Sequence, residues 1–325
     1  MLIVIAATIA ACVFIGWSIG ANDAANCVGA AVGSRRISFR NGILITSIFG
    51  LLGALLIGHR VVKTVGKGIV PLDRLDPIVA LYIALAACFG AGLWVILATY
   101  LKIPVSTSHS IVGAVGGAGI AVGAPVFWDK LLNIFVGWIA TPFGAALLAF
   151  ICYYPFRLIL YRLTPSRYRD RAFTVIIGLV SAYTAFSWGG NDVANATGVI
   201  MGAGLTSSFA ATLIGGVAIL IGVVTWGYKV IETVGFKIAR LIPIMTIVAQ
   251  FSSALNVYIY TMLGIPVSTS HSIVGAVVGV GLVTGKHVFD IRLARDIVFA
   301  WAVTPFAAGF VSLLIMALIK IAVGI

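Results

Sequence analysis

Charge is what this sequence has least of. Of its 325 residues, 9% are Asp, Glu, Lys or Arg and 61% are hydrophobic, whereas a soluble globular chain carries about a quarter charged residues. That scarcity excludes a water-soluble globular domain. Strands of about ten alternating residues are also missing, which excludes a membrane β-barrel. The first apolar run lacks a positive leading segment and a small-residue cleavage site, so it reads as a retained helix and not a secretory signal. Only four cysteines occur (Cys12, Cys27, Cys88, Cys152), without metal-ligand spacing; they are expected as free thiols that pack as small hydrophobes. The net charge of +12 is no nucleic-acid footprint, because the Lys and Arg sit mainly between apolar runs, where they orient a membrane protein.

What is present is a series of long apolar runs: Leu2–Ile19, Gly42–Gly58, Ile78–Leu101, Leu131–Phe156, Leu241–Leu263 and Ile297–Ile319. Each is long enough to cross the hydrocarbon core as a helix. The fold class expected is an all-α polytopic membrane protein.

Internal repetition is the second strong signal. IPVSTSHSIVGAV runs from Ile103 to Val115 and again from Ile265 to Val277. Gly20-Ala-Asn22-Asp23-Ala-Ala-Asn26 returns as Gly190-Asn191-Asp192-Val-Ala-Asn195, Arg60–Gly66 as Lys229–Gly235, and Trp138–Phe143 as Trp301–Phe306. All four matches keep their order, offset by 162 to 169 residues. Two homologous transmembrane halves are expected, 1–156 and 172–325, joined by a short basic linker, 157–171. Equivalent loops alternate basic and non-basic between copies: Arg35–Arg40 against Leu205–Ser208, and Lys286–Asp296 against Pro125–Lys130. The bias of Lys and Arg to the cytoplasmic side then predicts opposite insertion of the halves. It places Arg35–Arg40, the linker and Lys286–Asp296 inside and both termini outside. His59–Arg74, basic at near-helical spacing, suits an interfacial amphipathic helix.

Inverted repeats with broken or re-entrant helices that meet at a midplane substrate site are a transporter architecture. Asp23 and Asp192 are carboxylates within membrane spans, and such groups are costly and mark function. Gly-Ala-Asn-Asp at 20–23 and Gly-Gly-Asn-Asp at 189–192 are expected to interrupt their helices, since Gly loosens the backbone while Asn and Asp compete for its hydrogen bonds. Carbonyls, carboxylates and amides at such breaks form a hard oxygen set for a small cation, with Asn22, Asp23, Asn26, Asn191, Asp192 and Asn195 as its residues. Pro104 and Pro266 suit a helix start. Ser106, Thr107 and Ser108, like Ser268, Thr269 and Ser270, have the composition of an N-cap. Helix N-termini attract anions, so two opposed tips would hold an oxyanion. Gln250, in an unusually polar run, is a one-sided candidate contact. His109 and His271 follow the hydroxyl clusters, where they could donate to substrate or relay a proton; the favoured expectation is that each hydrogen-bonds a backbone carbonyl. Thr141-Pro142 and Thr304-Pro305 read as helix kinks. None of these motifs contains Lys or Arg. The anion's charge must then be offset by bound cations, because unpaired charge in low dielectric costs several kcal/mol per ion.

These motifs resemble the inorganic phosphate transporter (PiT) family, whose duplicated signature looks like G-A-N-D-x-A-N-A, with P-[IV]-S-[GT]-[ST]-H also present in each half. The resemblance covers nearly the whole chain. It departs in the short linker, where many relatives carry a large hydrophilic domain, and at Gln250, where several carry glutamate. The resemblance implies phosphate symport with Na⁺ or H⁺; some relatives carry metal–phosphate complexes or sulfate. The oxygen-rich Asn-Asp set favours Na⁺. No cofactor and no nucleic acid is implied; the expected setting is the cell membrane, with a homodimer allowed for. A rival class is an anion channel, disfavoured because intramembrane carboxylates repel anions. A membrane enzyme is excluded because neither Ser-His pair has an acidic orienter nearby.

Overall fold

The computed structural model describes residues 1–101, 105–227, 241–285 and 291–324. Pro104, the Lys229–Gly235 repeat and residues 286–290 of the second basic loop lie outside the described residues. The described chain is helical throughout: α1 (Leu2–Gly33), α2 (Phe39–Ile57), α3 (His59–Lys67), α4 (Pro77–Tyr100), α5 (Thr107–Ala121), α6 (Trp128–Leu158), α7 (Ser166–Gly202), α8 (Ser208–Thr225), α9 (Pro243–Met262), α10 (Thr269–Thr284) and α11 (Ile291–Val323). Seven of these, α1, α2, α4, α6, α7, α8 and α11, are long and apolar enough to span a bilayer. Spans α7 and α8 fall outside the six apolar runs. The run Leu241–Leu263 forms α9, whose interior holds buried Gln250, Ser252, Ser253 and Asn256. The linker is largely helical: a five-residue π turn, Ile159–Leu163, follows α6, and α7 begins at Ser166.

Large apolar side chains face outward. On α6, Ile139, Phe143, Leu147, Phe150 and Tyr154 form an exposed stripe at helical spacing, as expected for a helix solvated by lipid. Polar groups turn inward: Asp23, Asp192, Asn191, Asn195, Gln250 and both hydroxyl clusters are buried. Lipid gives helices no hydrophobic reason to associate, so small residues and close backbone approach take over. A Cβ at Gly20 of α1 would strike the Ile219 carbonyl of α8, and one at Gly189 of α7 the Gly50 carbonyl of α2. On α5, Gly113 and Gly117 abut the backbone of Pro305 and Gly309 in α11; on α10, Gly275 and Gly279 abut that of Pro142 and Ala146 in α6.

Two helical hairpins occupy the interior. Gly119, near the end of α5, lies against Val70, just before α4, so α5 returns towards the start of its partner. Likewise Val283 and Thr284, at the end of α10, line one cavity with Ile242 and Ile244 at the start of α9. The helix expected within His59–Arg74 is α3, packed against α7. It also grips the loop ahead of the second tip: Thr64 donates to the Gly264 carbonyl (2.6 Å) and Arg60 to the Met262 carbonyl (3.4 Å). Gly264 has φ +72°, where a side chain would be strained. Thr64→Val keeps the shape and removes this donor. It is expected to lower stability by about 1 kcal/mol, read as a reduced melting temperature in detergent.

Loop 34–38 and the linker lie on one side of the molecule, tied by an ion pair between Arg36 and Asp170. The cysteines are free thiols, with Cys12 and Cys88 in contact at 3.2 Å between α1 and α4.

Candidate functional site

The site grows from two local caps. Ser106 is the N-cap of α5 and accepts from the His109 N–H (3.2 Å); Ser268 is the N-cap of α10 and accepts from the His271 N–H (3.2 Å). These three-residue cap bonds are those the motif predicts. The remaining first-turn N–H groups belong to Thr107 and Ser108 on one tip, and Thr269 and Ser270 on the other. The tips touch: the Ser108 hydroxyl donates to the Val267 carbonyl at 2.9 Å, and the His109 and His271 rings lie 4.6 Å apart edge to face.

The carboxylates approach from α1 and α7. One Asp23 oxygen accepts from Thr107 (3.0 Å) and the other from Asn26 (3.0 Å), while the Asn26 amide also donates to Ser270 (2.9 Å). The Asp23–Asn26 pair thus joins both tips. On the other side, the Asn195 amide donates to Ser108 (2.9 Å) and Asp192 Oδ1 (3.4 Å). Trp188 and Thr269 face the Asp192 carboxyl, yet Asp192 Oδ2 and Asn195 Oδ1 are buried with no donor in hydrogen-bonding geometry. An acceptor-only oxygen left so is costly.

The expected helix breaks at Asn-Asp are not found. Helices α1 and α7 run continuously through Asn22-Asp23 and Asn191-Asp192. The neighbouring glycines serve close packing instead. The Asn side chains and Asp23 find partners on other elements, so they do not compete for their own backbone. The interruptions lie between α4 and α5 and between α9 and α10, within the repeated hydroxyl motif.

Asn22 and Asn191 hold the hairpins. Asn22 donates to Thr99 near the end of α4 (2.6 Å), and Asn191 to Thr261 near the end of α9 (2.9 Å). Asn191 also accepts from the Val267 N–H (3.1 Å), which occupies its side-chain oxygen. Both ends of the Gln250 amide are engaged as well: it donates to the Cys27 carbonyl (2.9 Å) and accepts from Ser181 (3.2 Å), binding α9 to α1 and α7. Gln250→Ala is expected to cost about 1–3 kcal/mol by leaving Ser181 without its acceptor, measured as a lower melting temperature.

The histidines make the expected carbonyl bonds. His109 Nδ1 lies 3.1 Å from the Trp301 carbonyl and His271 Nδ1 3.2 Å from the Trp138 carbonyl. Sequence reasoning missed Thr99, Thr261, Trp138 and Trp301 as partners. The signal for the tryptophans was available: each stands four residues before a proline, which cannot donate to the carbonyl four back.

Fold and site together define a multi-pass, all-helical membrane protein with two buried carboxylates set against a pair of abutting helix tips. A model of the phosphate transporter family matches residues 19–312. The chain belongs to that family. Two archaeal proteins provisionally named phosphate permeases are close in sequence: one from Pyrococcus furiosus is 32% identical, over 95% of this chain and 94% of its own, and one from Pyrococcus abyssi is 34% identical, over 94% and 95%. A solved structure of a sodium-dependent phosphate transporter superposes with a TM-score of 0.91 at 28% identity, covering 98% of this chain and 99% of that one.

Proposed function

We propose that this chain imports inorganic phosphate across the cell membrane by symport with Na⁺, through alternating access about the paired tips. In this reading the halves 1–156 and 172–325 are inverted copies joined by 157–171, with the linker cytoplasmic and both termini outside. Thr107, Ser108, Thr269, Ser270 and the first-turn N–H groups hold the oxyanion, with Ser106 and Ser268 fixing the tips as caps. Asp23, Asn26, Asp192 and Asn195 hold Na⁺. Asn22, Asn191 and Gln250 keep the hairpins and α1 in register. The observation that carries the proposal is the pair of buried acceptor oxygens, Asp192 Oδ2 and Asn195 Oδ1, beside a tip whose N–H groups favour an anion. Each charge makes the other tolerable in low dielectric, so cation and anion move together. The sodium dependence of the structural neighbour is consistent with this choice of cation.

Radiolabelled phosphate uptake into proteoliposomes tests it, with Na⁺ and H⁺ gradients imposed separately. Accumulation is expected with the Na⁺ gradient alone. Accumulation driven only by the H⁺ gradient would replace the cation, and passage down the phosphate gradient with neither would make the protein a channel.

A further inference from the structure

Pro142 and Pro305 each lack the N–H that would bond the carbonyl four residues earlier. Those carbonyls belong to Trp138 and Trp301, and they are the ones the histidines reach. The arrangement crosses between halves: His109 on α5 bonds α11, and His271 on α10 bonds α6. Each ring also lies on the other tryptophan, His109 on Trp138 at 3.7 Å and His271 on Trp301 at 3.6 Å between centroids. A carbonyl oxygen only accepts, so both Nδ1 atoms carry hydrogen. A neutral imidazole then has a bare lone pair at Nε2, and a cationic ring here would be a buried charge without a carboxylate partner. Both Nε2 atoms are buried and meet no donor, on side chains 3% and 4% exposed.

The tips therefore carry two kinds of group. Backbone N–H and hydroxyls donate to oxyanion oxygens, whereas the two Nε2 atoms can only accept. We infer that His109 and His271 accept hydrogen bonds from the O–H groups of a protonated oxyanion, and so make the site selective for phosphate over fully ionised sulfate. This rests on the transport reading above and deepens it. Dihydrogen phosphate carries two O–H groups for two lone pairs. Sulfate carries none, so it would set its oxygens against nitrogen lone pairs and leave both unsatisfied. Sites built to pair with a substrate O–H reject analogues lacking it far more strongly than apolar pockets do. The prolines are positioning residues: by freeing the two carbonyls they fix the tautomer.

The test uses the full-length protein with ¹⁵N-labelled histidine in nanodiscs containing Na⁺, titrated with inorganic phosphate and, separately, with sulfate. Phosphate is expected to shift the Nε2 resonances of His109 and His271, while sulfate leaves them in place. In uptake assays, His109→Asn and His271→Asn keep a donor for the tryptophan carbonyl and remove Nε2. Each is expected to lower phosphate affinity by about tenfold without weakening inhibition by sulfate, so selectivity falls by the same factor. The wild-type spectra decide the matter even where a variant fails to fold. Nε2 resonances indifferent to phosphate in protein that transports it would overturn the inference, as would unchanged selectivity in both variants. A wild type without Na⁺-driven uptake overturns the transport reading, and this inference with it.

Discussion

Sodium-driven phosphate uptake is expected to fall by at least about a hundredfold in Asp23→Asn and in Asp192→Asn, with the folded protein retained. The amide is nearly isosteric with the carboxylate, so the tips stay in place. What it removes is one negative charge, in a site that has no Lys or Arg in any of its motifs. Unit charges about 4 Å apart interact by about 4 kcal/mol at an effective dielectric constant near 20, several times the 1.4 kcal/mol that a tenfold change requires. Without sodium the variants should be no less stable than the wild type, because an amide is cheaper than an ion to bury. Comparing melting temperatures in NaCl and choline chloride checks this directly. Sodium binding raises wild-type stability as RT ln(1 + [L]/Kd), and that increment should shrink or vanish in each variant. Sodium-dependent stabilisation and uptake at wild-type levels in either variant would remove that carboxylate from the coupling.

Gly113→Val and Gly275→Val are expected to cost folded protein outright. A side chain at Gly113 would be driven into the backbone of Pro305, and one at Gly275 into that of Pro142. Overpacking a core usually costs about 1–3 kcal/mol, and here the obstacle is main chain that cannot rotate aside. These contacts also hold the proline-bearing turns whose free carbonyls the histidines reach, so relief by helix displacement would break the crossed hydrogen bonds. Gly116 supplies the control. It lies on the same helix, three residues away, and a Cβ there meets nothing within 4 Å. Gly116→Ala should be neutral or stabilising by up to about 1 kcal/mol, from helix propensity alone. Size-exclusion profiles and melting curves of the three variants separate a packing cost from a general intolerance of glycine loss.

Much of this protein could be read in one dimension because its medium imposes local rules. A helix in lipid must satisfy its own backbone, so length and hydropathy announce it. The Ser106 and Ser268 caps span three residues, so the motif alone displayed them. The duplicated Asn-Asp segments stood out because a carboxylate is costly to hold in a membrane. Local forces alone would place the helix break at Asn-Asp, the residues most able to cause one. Asp23 bonds Thr107, 84 residues away, and Asn191 bonds Thr261, 70 residues away. Side chains occupied at that distance leave their own helix intact.

Read along the chain alone, the residues give a helical membrane protein, its duplicated motifs and the side-chain types able to meet an oxyanion and a hard cation. Which acceptors stay unpaired, where the helices stop, and that each histidine is oriented by a carbonyl freed beside a distant proline all depend on the folded arrangement. Composition and caps act within a turn or a span. Hydrogen-bond satisfaction in a low-dielectric interior is settled among groups that meet only after the chain has folded.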